Sequence, residues 1–129
     1  MHGENPTLPK SEWAVMEVIW ANPGATGANV YEQLGALNGW KQKTINSFLR
    51  RLIDRGFLKA ERVSRAFRYW PLVQRERCLR AEGESLIERM FKGKWAPMLV
   101  HFVEEADLSQ DELDNLEILI KQKKEEAGR

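Results

Sequence analysis

The chain has 129 residues, of which 43% are hydrophobic and 30% are charged, and its net charge is +1. This composition is too apolar for a disordered chain and fits one small core, or a small domain with an appendage. No apolar run approaches the roughly 18 residues that a membrane-spanning helix needs, and residues 1–10 lack the apolar stretch of a signal peptide, so we expect a cytoplasmic protein. One cysteine, Cys78, and two histidines exclude an internal disulfide and argue against a structural zinc site, so we expect neither metal nor cofactor.

The charges are unevenly distributed along the chain. Residues 1–40 carry 1 basic and 4 acidic side chains, residues 41–77 carry 11 and 3, and residues 78–129 carry 8 and 12. A basic middle between two acidic ends predicts one surface that faces a polyanion, and a solvated basic face is the alternative.

Two short amphipathic helices are predicted first. The first has Ser11 as its candidate cap and ends at Asn22-Pro23-Gly24; its apolar residues, Trp13 and Trp20 among them, should join the core. Thr26 is the candidate cap of the second helix, which ends near Asn38-Gly39. The apolar side of this second helix should hold Val30, Leu34 and Leu37.

A third helix follows Trp40 and runs into Gly56, a candidate C′ residue. Its apolar side should hold Ile45, Leu49, Leu52 and Ile53. From Phe57 to Val73 the helical period fails, and branched and aromatic residues flank a polar turn at Ser64-Arg65, which is typical of a β-hairpin that Pro71 closes.

The hairpin should be basic at its tip. Arg62, Arg65 and Arg68 lie at or beside the turn, while Phe67 and Tyr69 should share the opposite face. Three helices followed by a basic hairpin predict a mainly α winged helix-turn-helix fold. We expect a DNA-binding domain over residues 1–73.

Residues 74–129 should form further helices that serve for dimerisation. Pro97 suits the first turn of one, and Ser109 to Glu112 has the S-x-x-E pattern of a capping box at the start of the last. Because one apolar stripe on an otherwise acidic helix needs cover, we expect a partner chain, with folding back onto the same core as the alternative.

The third helix, about residues 42–55, has the layout of a recognition helix. A polar stripe lies opposite the apolar one, at i, i+3, i+4, i+7 and i+8, and consists of Lys43, Asn46, Ser47, Arg50 and Arg51. In a major groove Asn46 would pair with adenine N6 and N7, and Ser47 would donate or accept; the three basic residues could equally hold phosphates. Thr44 adds a hydroxyl and a methyl, either for a thymine methyl or for packing.

The wing, about residues 58–71, would place Arg65 and Arg68 on the DNA backbone or in a minor groove, where they add salt-dependent affinity. The sequence contains no phosphate-binding loop, dinucleotide fingerprint or H-E-x-x-H motif, so no catalytic residues are assigned and we do not expect an enzyme. Cys78 is expected to be packed and not a redox sensor.

The chain resembles the penicillinase-repressor family of bacterial regulators, which also includes methicillin-resistance and copper-transport repressors. The resemblance covers nearly the whole chain. It is carried by residues 11–20 with Ser11-Glu12-Trp13 and Ile19-Trp20, by residues 40–57 with Lys43-Thr44-Ile45 and Arg51-Leu52, by residues 67–73, and by residues 102–112 with Phe102-Val103-Glu104.

The resemblance implies a homodimeric repressor that binds a dyad-symmetric operator, often with TACA and TGTA half-sites. Contacts with bases or phosphates would fall to Lys43, Thr44, Asn46, Ser47 and Arg51. Staphylococcal members carry arginine where this chain has Asn46, so a guanidinium suited to guanine or phosphate is replaced by an amide suited to adenine.

The resemblance also bears on derepression. In the β-lactam branch of the family a membrane sensor protease, or an event downstream of it, leads to cleavage of an Asn-Phe bond. The matching bond here is His101-Phe102, so cleavage at this bond is a hypothesis. The paired C-terminal cysteines of the copper branch are missing, so that release mechanism does not carry over.

Two other interpretations of the sequence stay open. The protein could be an activator or architectural DNA-binding protein, which expression of the neighbouring gene after deletion would distinguish. It could also be a winged-helix module that binds proteins, although the basic residues of the third helix argue against this.

Overall fold

The computed structural model describes residues 6–128, which divide between two compact units at the boundary between Leu86 and Ile87. The elements follow in the order α1 (Lys10–Ala21), β1 (Ala25–Thr26), α2 (Gly27–Asn38), α3 (Gln42–Asp54), β2 (Leu58–Val63), β3 (Ala66–Pro71), α4 (Arg75–Met90), α5 (Trp95–Glu105) and α6 (Gln110–Ala127). This order confirms the mainly α winged helix-turn-helix. The boundary between the units falls within α4, whereas the functional boundary between residues 73 and 74 stays a prediction. No helix in residues 6–128 combines the length and the apolar character that crossing a membrane requires.

Helix α1 begins earlier than its candidate cap. Pro9, with φ −59° and ψ 155°, is the N-cap, and its carbonyl accepts from the Trp13 N–H at 2.9 Å. Ser11 therefore lies inside the first turn, and its prediction as the cap is wrong. The fixed φ of proline already suits the chain for helix entry without a side-chain cap. The predicted end of α1 at Asn22 is confirmed.

Helix α2 is capped as predicted. The Thr26 side chain accepts from the Asn29 N–H and the Asn29 side chain accepts from the Thr26 N–H, which is a reciprocal capping box. Gly39 ends the helix in the left-handed region at φ +67°. The prediction for Leu37 is wrong: it is 83% exposed, so the packed side of α2 ends at Leu34.

The predicted hairpin is confirmed, with its turn at Ser64 and Arg65 and its end at Pro71. The sheet has the order β1-β3-β2, and β1, which the sequence did not predict, adds Ala25 and Thr26 to the edge of β3. One expectation about its faces is wrong. Arg62 pairs directly with Phe67, so it shares the face of the aromatic residues.

The core of the first unit brings together α1, α2, α3 and the base of the wing. Its fully buried members include Met16, Ile45 and Phe57, and Trp13 and Trp20 pack against it as predicted. The Trp20 indole N–H donates to the Val73 carbonyl at 2.9 Å. The third-helix predictions hold, with Ile45, Leu49 and Leu52 buried, Ile53 packed against the core, and Gly56 at φ +82°.

The second unit contains α5 and α6. Pro97 lies in the first turn of α5, and Ser109 and Glu112 form the predicted capping box of α6. The Ser109 hydrogen bonds lower the pKa of the Glu112 carboxyl. Large apolar side chains are nevertheless left between 37% and 57% exposed on these helices: Trp95, Leu99, Val100, Phe102, Val103, Leu113, Leu116, Ile118, Leu119 and Ile120.

Candidate nucleic-acid interface

The polar stripe of α3 lies on the side of the helix away from the core. All five of its residues are exposed, and the neighbouring Thr44 is half-buried. The opposite side of the helix is buried through Ile45, Phe48, Leu49 and Leu52. The structure brings the predicted residues together along one shallow depression lined by Lys43, Asn46, Ser47, Arg50 and Arg51. This arrangement can present three cations and two neutral polar groups to one ligand.

Gln42 connects this surface to α2, and sequence reasoning missed it. Its side-chain Nε2 donates to the Gly27 carbonyl at 3.1 Å and to Asn46 Oδ1 at 2.9 Å. The carbonyl of Gly27 and the side chain of Asn46 are thus held by one amide group. The sequence shows that Gln42 and Asn46 are one helical turn apart. Gly27 lies 15 residues from Gln42, so its contact with Gln42 cannot be predicted from spacing.

The Ser47 hydroxyl already donates a hydrogen bond within α3. The acceptor is the Lys43 carbonyl one turn earlier, at 3.2 Å. Because a hydroxyl carries one hydrogen, Ser47 in this conformation meets a ligand as an acceptor.

Arg51 contacts the only buried charged residue in the described part of the chain. Its Nη1 lies 3.5 Å from Oε2 of Glu12, which is 2% exposed, whereas the Arg51 side chain is 59% exposed. The guanidinium also lies 5.4 Å from the centre of the Phe48 ring. Since removing one partner of a buried ion pair strands the other charge, Arg51 has a structural role whatever it contacts outside. Glu12 lies 39 positions from Arg51, so no spacing pattern in the sequence indicates this pairing.

The two predicted wing arginines are placed differently. Arg65 is exposed at the tip beside Ser64, which has φ +59°. Arg68 donates from Nη1 to the Gly24 carbonyl at 2.9 Å, and it lies opposite Glu61 in the strand pairing. The wing therefore presents Arg65 to solvent and holds Arg68 against Gly24, the residue before β1.

His101 and Phe102 lie inside α5 and are exposed. Their rings are 5.3 Å apart, and each ring also contacts Phe91, at 6.2 Å and 6.1 Å. The bond between them is helical, so it does not have the extended form that proteases bind.

Cys78 is fully buried on α4, and burial, together with the charge of Glu82, raises the pKa of its thiol. Within residues 6–128 no group of three or more His, Cys, Asp or Glu side chains is arranged to hold a metal ion.

A family model described as penicillinase repressor matches residues 8–122 of the chain. The chain is similar to the methicillin resistance regulatory protein MecI of Staphylococcus aureus (strain N315), with 29% identity over 95% of this chain and 100% of that protein. It is also similar to the penicillinase repressor of Bacillus licheniformis, with 29% identity over 92% of this chain and 93% of that protein.

A solved structure resembles part of the chain. It is the monomeric form of Bacillus licheniformis BlaI in complex with the blaP half-operator, which has 31% identity and a TM-score of 0.50. The match covers 57% of this chain and 90% of that one.

Proposed function

We propose, because the chain belongs to the penicillinase repressor family, that it represses transcription by binding a dyad-symmetric operator as a homodimer in the cytoplasm. The family consists of DNA-binding transcriptional repressors and not of enzymes. The observation that carries the proposal is the exposed polar stripe on α3, which occupies the recognition-helix position of a winged helix.

In this proposal α3 enters the major groove. Asn46 and Ser47 face base edges, Lys43 and Arg50 hold phosphates or guanine, and Thr44 packs beside them. Arg51 shares its charge between Glu12 and the DNA. The relative bound to a half-operator supports a duplex ligand for this domain.

The wing, about residues 58–71, meets the backbone or an adjacent minor groove. Arg65 is exposed at the tip for such a contact. Arg68 keeps its hydrogen bond to the Gly24 carbonyl, and its positive charge attracts the DNA without a direct phosphate contact. These contacts supply affinity that falls with salt and carry little sequence information.

The homodimer is supported by the apolar side chains that α5 and α6 leave exposed. A second copy would cover them and would place two recognition helices on two half-sites. Their centres should lie about 10 base pairs apart, or a multiple of that.

Proteolysis within α5 would relieve the repression. Cleavage of the His101-Phe102 bond by a sensor protease, or downstream of one, would require α5 to open first, since the bond is helical. N-terminal sequencing of fragments from induced cells tests this: a fragment that starts at Phe102 supports it, and an intact protein under induction contradicts it.

The central experiment is a mobility-shift titration of the protein on its own upstream intergenic DNA, at two salt concentrations and with unrelated competitor DNA. We expect a competitor-resistant, salt-sensitive shift that the double variant Lys43→Ala/Arg50→Ala abolishes. Arg80→Ala/Arg89→Ala, which removes two cations from exposed positions of α4, is the matched control and should bind as the parent does.

Genome-wide selection of bound fragments covers the case of a distant operator. If neither assay yields specific binding, the alternative of a winged-helix module that binds other proteins takes first place. Deletion of the gene should raise the transcript of the neighbouring gene, and a fall would mean activation.

A further inference from the structure

We propose that Gln42 is a positioning residue that determines base specificity through Asn46: its Nε2 fixes the orientation of the Asn46 amide, so that Asn46 offers hydrogen-bond donors to the base it faces. This inference rests on the proposed function, since it presupposes that α3 lies in the major groove.

The direction of the amide follows from a chain of two hydrogen bonds. The Gly27 carbonyl can only accept, so the Gln42 atom 3.1 Å from it must be the Nε2 amide nitrogen. The same Nε2 lies 2.9 Å from an Asn46 side-chain atom, which must then be the acceptor, Oδ1. The Gly27 carbonyl, which can only accept a hydrogen bond, therefore sets the orientation of the exposed Asn46 side chain through Gln42.

The consequence is a donor at the recognition surface. With Oδ1 turned toward Gln42, the Nδ2 amide group occupies the other branch of the planar side chain and points away from Gln42. Asn46 is exposed, so this group is accessible to a ligand. One lone pair of Oδ1 is already used, which weakens the symmetrical donor-and-acceptor pairing with adenine that the sequence suggested.

The base preference follows from the major-groove edges. Guanine offers the acceptors N7 and O6, adenine offers N7, and thymine offers O4, whereas cytosine offers only its N4 donor. An Asn46 that presents donors should accept guanine, adenine or thymine and reject cytosine at the base it faces. Binding to a site with cytosine at this position should be weaker by about fivefold to tenfold, because one hydrogen bond is lost and the Asn46 donor is left without an acceptor.

The test compares base preferences and not overall affinity. Wild type and variants select DNA from a library with a randomised half-site, and the bound fraction is sequenced. Asn46→Ala first identifies the position that Asn46 reads. Gln42→Met keeps a similar length and lacks the donor, and Gln42→Glu replaces the donor with acceptors.

We expect Gln42→Met to weaken the rejection of cytosine at that one position and to leave the other positions unchanged. Gln42→Glu should turn the Asn46 amide around, since only Nδ2 can donate to a carboxylate, and so present Oδ1 to the DNA. Cytosine or adenine, which carry N4 and N6 donors, should then be preferred there. An unchanged preference in both variants would overturn the proposal.

A second readout uses the free protein and does not depend on DNA. In NMR spectra the side-chain amide protons of Gln42 should show Overhauser contacts to Gly27, and the Asn46 amide signals should shift in Gln42→Met. If these contacts are missing, Gln42 does not make the two hydrogen bonds on which the inference rests. If they are present but no DNA is bound specifically, the proposed function has failed, whereas the hydrogen bonds of Gln42 are confirmed.

Discussion

At the scale of single residues, the interface depends on partners that are distant in sequence. The residues of the α3 stripe could be chosen from the sequence because their spacing follows the helical period. Their partners could not: Glu12 beneath Arg51, Gly27 behind Gln42 and Gly24 beside Arg68 lie on other elements. Sequence spacing predicts the face on which a side chain lies, and only the packing of elements shows which of its groups are already used.

Arg65 and Arg68 should differ when they are replaced. Arg65→Ala should lower the slope of log affinity against log salt by about one, uniformly across DNA sequences, because one phosphate contact is lost. Arg68→Ala should also lower the free energy of unfolding by about 1 kcal/mol, since the Gly24 carbonyl loses a charged donor. Binding titrations at several salt concentrations and urea unfolding give the two quantities.

Arg80→Ala is the matched control for the wing variants, since it removes the same charge from an exposed position on α4. Arg80→Ala should change neither the salt slope of binding nor the free energy of unfolding by a comparable amount. An Arg65→Ala variant with an unaltered salt slope would mean that the tip of the wing does not meet the DNA.

Cys78 should make stability depend on alkaline pH. Because burial raises the pKa of its thiol, the folded protein keeps the proton at a pH where the unfolded chain releases it. Its contribution is therefore complete below the ordinary thiol pKa of about 8.5 and is lost as pH rises through the higher folded value. Urea unfolding across this range should show a steeper fall for the parent than for Cys78→Ala, and equal slopes would contradict the expectation.

At the scale of elements, local chemistry was predictable and short strands were not. Thr26, Gly39 and Gly56 were predicted because each residue type suits one backbone state, and the Ser64-Arg65 turn because a short polar stretch separates branched and aromatic residues. Strand β1 has two residues, which is too short for any periodic pattern, and exists through its pairing with β3. The Ser11 cap was predicted wrongly because Pro9 performs the helix start by its own fixed dihedral.

The capping box of α2 should support both stability and binding. Thr26→Ala should lower the free energy of unfolding by about 1 kcal/mol, because the Asn29 N–H loses its acceptor. Thr26→Ser keeps the hydroxyl and is the control. Operator affinity should fall in Thr26→Ala as well, since Gly27, the first residue of α2, holds Gln42. Equal unfolding curves for the two variants would show that the cap contributes little.

At the scale of the whole molecule, the two compact units have different surfaces. The first carries the basic stripe and the wing over a closed core. The second leaves many apolar side chains of α5 and α6 in solvent, which an isolated unit would rarely tolerate. The sequence predicted this need for a partner from the stripe on α6, but a single chain does not show what covers it.

Self-association should depend on α6. The double variant Leu116→Glu/Ile120→Glu places charge in the apolar stripe and should convert a dimer into a monomer in sedimentation experiments. Operator affinity should then fall by about a hundredfold or more, because two linked half-site contacts become one. Asn115→Glu/Gln122→Glu adds the same charge at exposed polar positions and should remain dimeric. A parent protein that sediments as a monomer would contradict the dimer outright.

The hydrogen bonds of Gln42 also have an evolutionary consequence. A glutamine codon becomes a glutamate codon by a single nucleotide change, and the residue that changes lies behind the one that reads the base. After gene duplication, a paralogue could thus acquire a different operator while every side chain that meets the DNA stays the same. Operator divergence between such paralogues would be invisible to a comparison restricted to DNA-contacting positions.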